Sequence, residues 1–214
     1  MNFEDKLISG LLIKRYKRFF VDIKVENKII TAHCPNTGSM MGLLKKNNKV
    51  WLTKSDNPKR KLKYTLQIIE DKSSKVGINT HITNKIALEA LNNSIIKNFR
   101  NLETIKTEVN FGSNTRFDFL ITEGKKKSFV EVKNVTLSRK KGVAEFPDAI
   151  TSRGLKHIEE LLKASKQGYE IYLLFLVQRD DCDKFELAKD IDPKYCELLI
   201  KAVKKNLNIL CYDC

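Results

Sequence analysis

The chemistry legible in this sequence centres on Asp118, Glu131 and Lys133. Arg116-Phe117-Asp118-Phe119-Leu120 alternates as a strand does, with Arg116 and Asp118 on one face and Phe117 and Phe119 on the other. Phe129-Val130-Glu131-Val132-Lys133 alternates likewise, so Glu131 and Lys133 share a face while Val130 and Val132 look into a core. If the two strands pair antiparallel, the carboxylates of Asp118 and Glu131 converge. Two carboxylates at one spot repel each other and require a cation, and an all-oxygen ligand set favours Mg2+ or Mn2+ over zinc. Lys133 adds an ammonium that can offset charge on an attacking water or on a phosphoryl oxygen. The plainer alternative is a cross-strand ion pair of Asp118 or Glu131 with Lys133 or Arg116, which contributes little when exposed.

Arg153 and His157 stand four apart in a helical pattern and so share a face. Facing the carboxylates, they can hold a phosphate; equally, His157 can lie in the core with Arg153 at the rim. Gly154 between them costs about 1 kcal/mol against Ala in a helix interior, which points to a close backbone approach to the sheet. Glu89 and Glu108 are the candidates for a third metal-binding carboxylate. The turn Asn36-Thr37-Gly38 either offers backbone N–H groups to a phosphate or is an ordinary tight turn. Cys211 and Cys214 form a lone C-x-x-C with no second pair, so zinc is not expected.

The elements that must position these residues fall into two groups. Residues 1–80 read as about five short strands: Leu11–Ile23, Lys28–Cys34, Lys49–Lys54, Leu62–Glu70 and Val76–Asn79, divided by turn signals such as Pro35–Gly38 and Asp56–Pro58. That pattern predicts a small OB-like barrel. Phe19, Phe20 and Trp51 stand among its cations, as stacking platforms for bases require, although each alone reads more simply as barrel core. From residue 81 the order is helix (Asn84–Phe99), three strands (Ile105–Phe111, Arg116–Thr122, Lys127–Thr136), helix (Pro147 to about Gln167), apolar strand (Tyr169–Gln178), helix (Pro193–Asn206) and strand (Asn208–Tyr212). The inner face of the second helix reads Ile150, Gly154, His157, Ile158, Leu161, Leu162. This is an α/β layer built on a mixed central sheet flanked by helices.

The 214 residues carry 40 Lys/Arg against 26 Asp/Glu, a net charge of +14. Residues 1–80 hold 17 of the cations and 7 of the acids. An excess concentrated in one segment makes nucleic acid the expected partner, with Arg15, Lys17, Arg18, Lys59, Arg60 and Lys61 on phosphates. No apolar run is long enough to span a membrane, and Met1–Gly10, with acids at Glu4 and Asp5, does not read as a secretory signal. Five cysteines, an odd number, fit reduced thiols in a cytoplasm. Monomer and homo-oligomer both stay open. A sugar-metabolising enzyme has no support: there is no Gly-rich phosphate loop and no paired-acid cleft of the glycosidase kind.

The spacing from Asp118 through twelve residues to Glu131, then Lys133, resembles the PD-(D/E)xK nuclease signature set on its helix–three-strand–helix–strand core. A wider resemblance lies in Leu12–Phe19, His33–Met40, Ser55–Lys61, Arg116–Phe119, Val130–Leu137 and Phe146–His157, which look like the sugar fermentation stimulation protein family, SfsA. That resemblance covers nearly the whole chain. It implies an OB-fold domain over residues 1–80, a nuclease-like domain over 81–214, and DNA binding without sequence specificity in a bacterial cytoplasm, where the protein could associate with the nucleoid. It leaves two functions open: Mg2+- or Mn2+-dependent phosphodiester cleavage by Asp118, Glu131 and Lys133, or non-catalytic DNA-binding regulation of sugar metabolism genes on a nuclease-like scaffold.

Overall fold

The computed structural model describes residues 3, 6–72 and 74–214; Glu4 and Asp5 lie outside them. Six strands come first: β1 (Ile8–Tyr16), β2 (Phe20–Val25), β3 (Lys28–His33), β4 (Lys49–Lys54), β5 (Tyr64–Asp71) and β6 (Ser74–Gly77). They form a sheet in the order β3-β2-β1-β4-β5-β6, and a parallel pairing of His33 with Thr65 joins β3 to β5. Five strands thereby close into a ring, and β6 extends it as a short edge hairpin with β5. Leu12, Val21, Ile23, Val50, Leu52, Leu66 and Ile69 fill the interior without exposure. Each contributes roughly 1.5–3 kcal/mol by leaving water.

The expected strand Leu11–Ile23 is two strands. Lys17 and Arg18 both adopt left-handed backbone, with φ of 47° and 61°, and turn the chain between β1 and β2. Such hairpin turns favour Asn-Gly, so the Lys-Arg pair gives no turn signal. The expected core aromatics are corrected too. Phe19 is exposed, Phe20 stacks on Tyr16 at 5.6 Å, and Trp51 lies under the ammonium groups of Lys49 and Lys75.

Beyond the barrel come α1 (Thr80–Asn92), β7 (Thr104–Phe111), β8 (Thr115–Glu123), β9 (Lys126–Val135), β10 (Leu137–Lys140), β11 (Gly142–Phe146), α2 (Ser152–Lys166), β12 (Glu170–Val177), β13 (Cys182–Leu187), α3 (Pro193–Val203) and β14 (Leu207–Asp213). The main sheet runs β14-β12-β9-β8-β7. It is mixed: β7, β8 and β9 are antiparallel neighbours, whereas β12 runs parallel to β9 and β14. Helix α1 covers one face with Ala87 and Leu91 against Phe119, Val130, Val132 and Leu174. Helices α2 and α3 cover the other, packing Ile158, Leu161 and Leu199 with Phe129, Leu173 and Phe175. Strand β12 is apolar from Ile171 to Val177 because both its faces are covered.

Helix boundaries move for local reasons. Helix α1 begins at Thr80 because the Asn79 side chain caps it, accepting from the His81 N–H, and it stops before Ser94, whose φ is 55°. Ile96 and Phe99, beyond the helix, fill the core, whereas Ile95 is exposed. Helix α2 is capped by Thr151, not opened by Pro147, and Ile150 lies outside it, exposed. A second sheet, β10-β11-β13, was not expected: its strands are short, and two of them are rich in charge.

The two halves are tied together. Ser39 Oγ donates to the Asp148 carbonyl (2.6 Å) and the Met40 N–H to its carboxylate (3.2 Å). The Gly77 N–H donates to the Gln178 carbonyl, and the buried Arg179 reaches Asp71 of β5. Among the described residues, no helix is long and apolar enough to cross a membrane.

The close approach at Gly154 is to α3 and the α2 cap, not to the sheet. A Cβ there would lie 2.8 Å from Thr151 Oγ1 and 3.0 Å from Tyr195 Cε2. Ala gains about 1 kcal/mol of helix propensity, but overpacking costs about 1–3 kcal/mol and also disturbs the cap. Gly154→Ala is therefore expected to lower the urea midpoint. An unchanged or raised midpoint would show that α2 and α3 have room to separate.

Candidate active site

Asp118 sits where strand alternation inverts. Phe117 packs with α2 and α3, whereas Phe119 packs with α1, so the two phenylalanines expected on one face lie on opposite sides of the sheet. The pairing of β8 with β7 runs through Phe119 opposite Thr107 and resumes at Phe117 opposite Val109. Between them, Glu108 takes a left-handed φ of 54°. The β8–β9 pairing ends at Phe119 opposite Val130. Beyond it the Asp118 side chain takes over: Oδ2 accepts from the Val132 N–H and Oδ1 from Asn84 Nδ2, each at 2.7 Å. Asp118 is thus fastened to both β9 and α1.

Glu131 points the other way from Val130 and Val132, toward α2, and is only 3% exposed. Its Oε1 accepts from Lys133 Nζ at 2.6 Å and from His157 Nδ1. Arg153 Nε donates to His157 Nε2 (3.4 Å), an arrangement that assigns the ring proton to Nδ1. The other oxygen, Oε2, is buried without a hydrogen-bond partner. Burial opposes ionisation of Glu131, but the charge of Lys133 and the hydrogen bonds from His157 and Lys133 outweigh it and hold the carboxyl below its ordinary range. Asp118 is driven the opposite way, to about 6, first by burial and then by the charge of Glu131. Val132, Asn84 and Lys133 offset only part of that rise.

These residues suit a divalent cation. An orphaned buried carboxylate oxygen beside a second carboxylate that resists ionisation is a site short of positive charge. Mg2+ commonly uses one or two carboxylates and fills its remaining positions with waters and phosphate oxygens. Among the described residues, no group of three His, Cys, Asp or Glu is arranged to hold a metal. Of the two candidate third acids, Glu108 is adjacent, 3.5 Å from the Asn84 amide that binds Asp118 and paired with Arg116. Glu89 is exposed and lines a shallow cleft with Ile86 and Tyr212.

The expected phosphate contacts divide into two sets. Arg15 is engaged within the protein: its guanidinium donates to the carbonyls of Arg18, Asn36 and Gly38, tying the β1–β2 turn to the loop after β3. Arg60 is half-committed through Thr65 Oγ1. His157 takes the core alternative: both ring nitrogens have protein partners and the ring is buried. Lys17, Arg18, Lys59, Lys61 and Arg153 are exposed. Sequence reasoning missed Asn84 as a site residue, because placing the helix start at Asn84 hid that it lies one turn inside α1.

A closed OB-type barrel joined to a mixed α/β layer, with a buried Glu, an Asp and a Lys at the layer's centre, defines a class of two-domain proteins. Within it, the chain belongs to the sugar fermentation stimulation protein family, SfsA. The family model described as "Sugar fermentation stimulation protein RE domain" matches residues 81–214, and "SfsA N-terminal OB domain" matches residues 13–78. A "Sugar fermentation stimulation protein homolog" of Pelagibacter ubique is 56% identical over 214 residues, covering 100% of this chain and 92% of the relative. The homologue of Maricaulis maris is 43% identical, with 100% and 92% covered. A solved structure described as Pyrococcus furiosus SfsA in complex with Ca2+ superposes with a TM-score of 0.91 at 27% identity, covering 100% of this chain and 90% of that one.

The raised Asp118 carboxyl has a signed consequence. The folded protein holds this proton up to about pH 6, whereas an unfolded aspartate releases it near 4. The contribution of this group to stability is therefore full below about pH 4 and is lost as pH rises through 6. In EDTA, Asp118→Asn is expected to be more stable than the parent by about 1–3 kcal/mol at neutral pH, with the gap closing toward about pH 4.5. Denaturation series at both pH values test this; a constant gap would remove Asp118 as its source.

Proposed function

We propose that this protein binds DNA through the barrel and cleaves phosphodiester bonds with Mg2+ or Mn2+ held by Asp118 and Glu131. The observation that carries the reading is the unpartnered, buried Glu131 Oε2 beside an Asp118 carboxyl pushed up to about 6. That the Pyrococcus furiosus structure is described in complex with Ca2+ supports the binding of an oxygen-ligated divalent ion by this protein. A cation bound there would supply Lewis acidity and lower the pKa of a water at neutral pH. His157 and Lys133 fix one oxygen of Glu131 and leave the other for the ion. The Lys133 ammonium, largely buried and beside the same carboxylate, can offset charge developing on the phosphate. Asn84 and the Val132 N–H orient Asp118.

The second reading, DNA-binding regulation without catalysis, is favoured by the commitment of Lys133 to Glu131 at 2.6 Å. Incubation with labelled DNA in Mg2+, Mn2+ or EDTA separates the two. Asp118→Asn and Glu131→Gln are expected to abolish Mn2+ binding in calorimetry and cleavage in gels while sparing DNA affinity in EDTA. Lys133→Ala should keep the metal and slow cleavage by about 100- to 1,000-fold. Equal Mn2+ affinity in parent and Asp118→Asn would defeat the shared site, and metal binding without cleavage would favour the regulator.

The exposed cations Lys17, Arg18, Lys59 and Lys61 supply the phosphate contacts. Each one replaced by Ala should make the slope of log affinity against log salt shallower by about 0.7–0.9. Salt titrations of the four variants measure this, and unchanged slopes would move DNA off the barrel.

A further inference from the structure

Between the barrel and the α/β layer lies a cleft of about 470 Å³, within the size range of small-ligand sites, about 300–1,000 Å³. The barrel wall supplies Arg18 and the Thr37–Gly38 turn; the layer wall supplies Ile150 and Arg153; Asn134 also lines the cleft. Asn134 directly follows Lys133 on β9, and Arg153 rests on the histidine that holds Glu131. The cleft thus borders β9 one residue beyond Lys133 and the helix turn that carries His157. Asp148, its acidic lining residue, already accepts from Met40 and Ser39.

Two features of the rim select its occupant. Arg18 and Arg153 are exposed on opposite walls, and neither has an ion-pair partner among the described residues. Beside each arginine stands an apolar side chain that folding leaves outside. Ile150 is 81% exposed, and Phe19, which follows Arg18, is 44% exposed and stacks on His33 with ring planes 14° apart. Guanidinium groups fork onto phosphates, while apolar wedges and aromatic faces take the flat faces of bases. A paired duplex keeps those faces stacked inside; an unpaired strand offers phosphates and base faces together.

We infer that the interdomain cleft seats an unpaired stretch of DNA, with phosphates on Arg18 and Arg153, one base face on Ile150 and a neighbouring base on Phe19, which follows Arg18 in the chain outside the cleft's lining. This rests on the DNA-binding part of the proposed function and gives it a substrate class: a single strand, or a frayed segment, led toward Asp118 and Glu131.

The test uses the full chain in EDTA, so that cleavage plays no part. Fluorescence anisotropy compares labelled oligo(dT) of about 12 nucleotides, within OB-fold site sizes, with a duplex and an oligo(rU) of the same length. Oligo(dT) is expected to bind tightest. Ile150→Ser and Phe19→Ser should each weaken it by about tenfold while changing duplex affinity less than about twofold. Both side chains are exposed, so these variants keep the fold, and a thermal melt confirms it. Tighter binding of duplex or of oligo(rU), or equal effects of Ile150→Ser on single and double strands, would overturn the inference and leave DNA binding by the barrel intact. Absence of any DNA binding by the parent protein would instead remove the proposed function and the inference with it.

Discussion

A carboxylate taken out of water must be matched by charge or hydrogen bonds, and Glu131 is where this chain meets that demand. The residue lies on the central strand of the main sheet, nearly sealed from solvent. Lys133 reaches it from two positions along the same strand, and His157 reaches it from α2. For His157 to arrive, α2 must lie close against its neighbours, and Gly154 is the residue that permits the approach to α3. For Asp118 to stand beside it, β8 must break its ladder. The break in the main sheet's β7–β8 pairing therefore falls beside one buried charge, while β12 keeps regular pairing with β9 and β14.

Much of the architecture is legible in the sequence because it rests on periodicity. The apolar run Ile171–Val177 can only be a strand covered on both faces, and Glu131 and Lys133 share a face simply by being two apart. What the sequence conceals is conformation that no residue type announces. Lys17 and Arg18 turn a hairpin without Gly or Asn. The spacing of Phe117, Phe119 and Ile121 looks like unbroken alternation, yet the face inverts at Asp118, opposite a Glu108 in left-handed backbone. Ile150 looks like the start of an inner helix face because it fits the 3.6-residue period, but Thr151 caps the helix after it.

Net charge also proves a coarse guide to where charge is available. The barrel half carries a marked cationic excess, but Arg15 donates from each of its three guanidinium nitrogens to a main-chain carbonyl and Arg60 lends one donor to Thr65. These guanidinium groups shape the loops; their neighbours Lys17, Arg18, Lys59 and Lys61 remain in solvent. A residue-type count cannot separate the two roles. Hydrogen-bond geometry can, since a guanidinium held by three internal hydrogen bonds would have to give some of them up to turn its fork toward an anion.

The link between Arg179 and Asp71 bears on how the molecule comes apart. Arg179 is buried at the end of β12, bonded to the Thr136 carbonyl and Asp181 on its own side and to Asp71 across the divide. If the barrel melted alone, this guanidinium would lose one counter-charge, and the Gln178 carbonyl beside it would lose the Gly77 N–H. Partial unfolding of that kind leaves buried polar groups unmatched and is thermodynamically disfavoured. The barrel and the layer, though distinct as folds, are thus coupled toward melting as one cooperative unit.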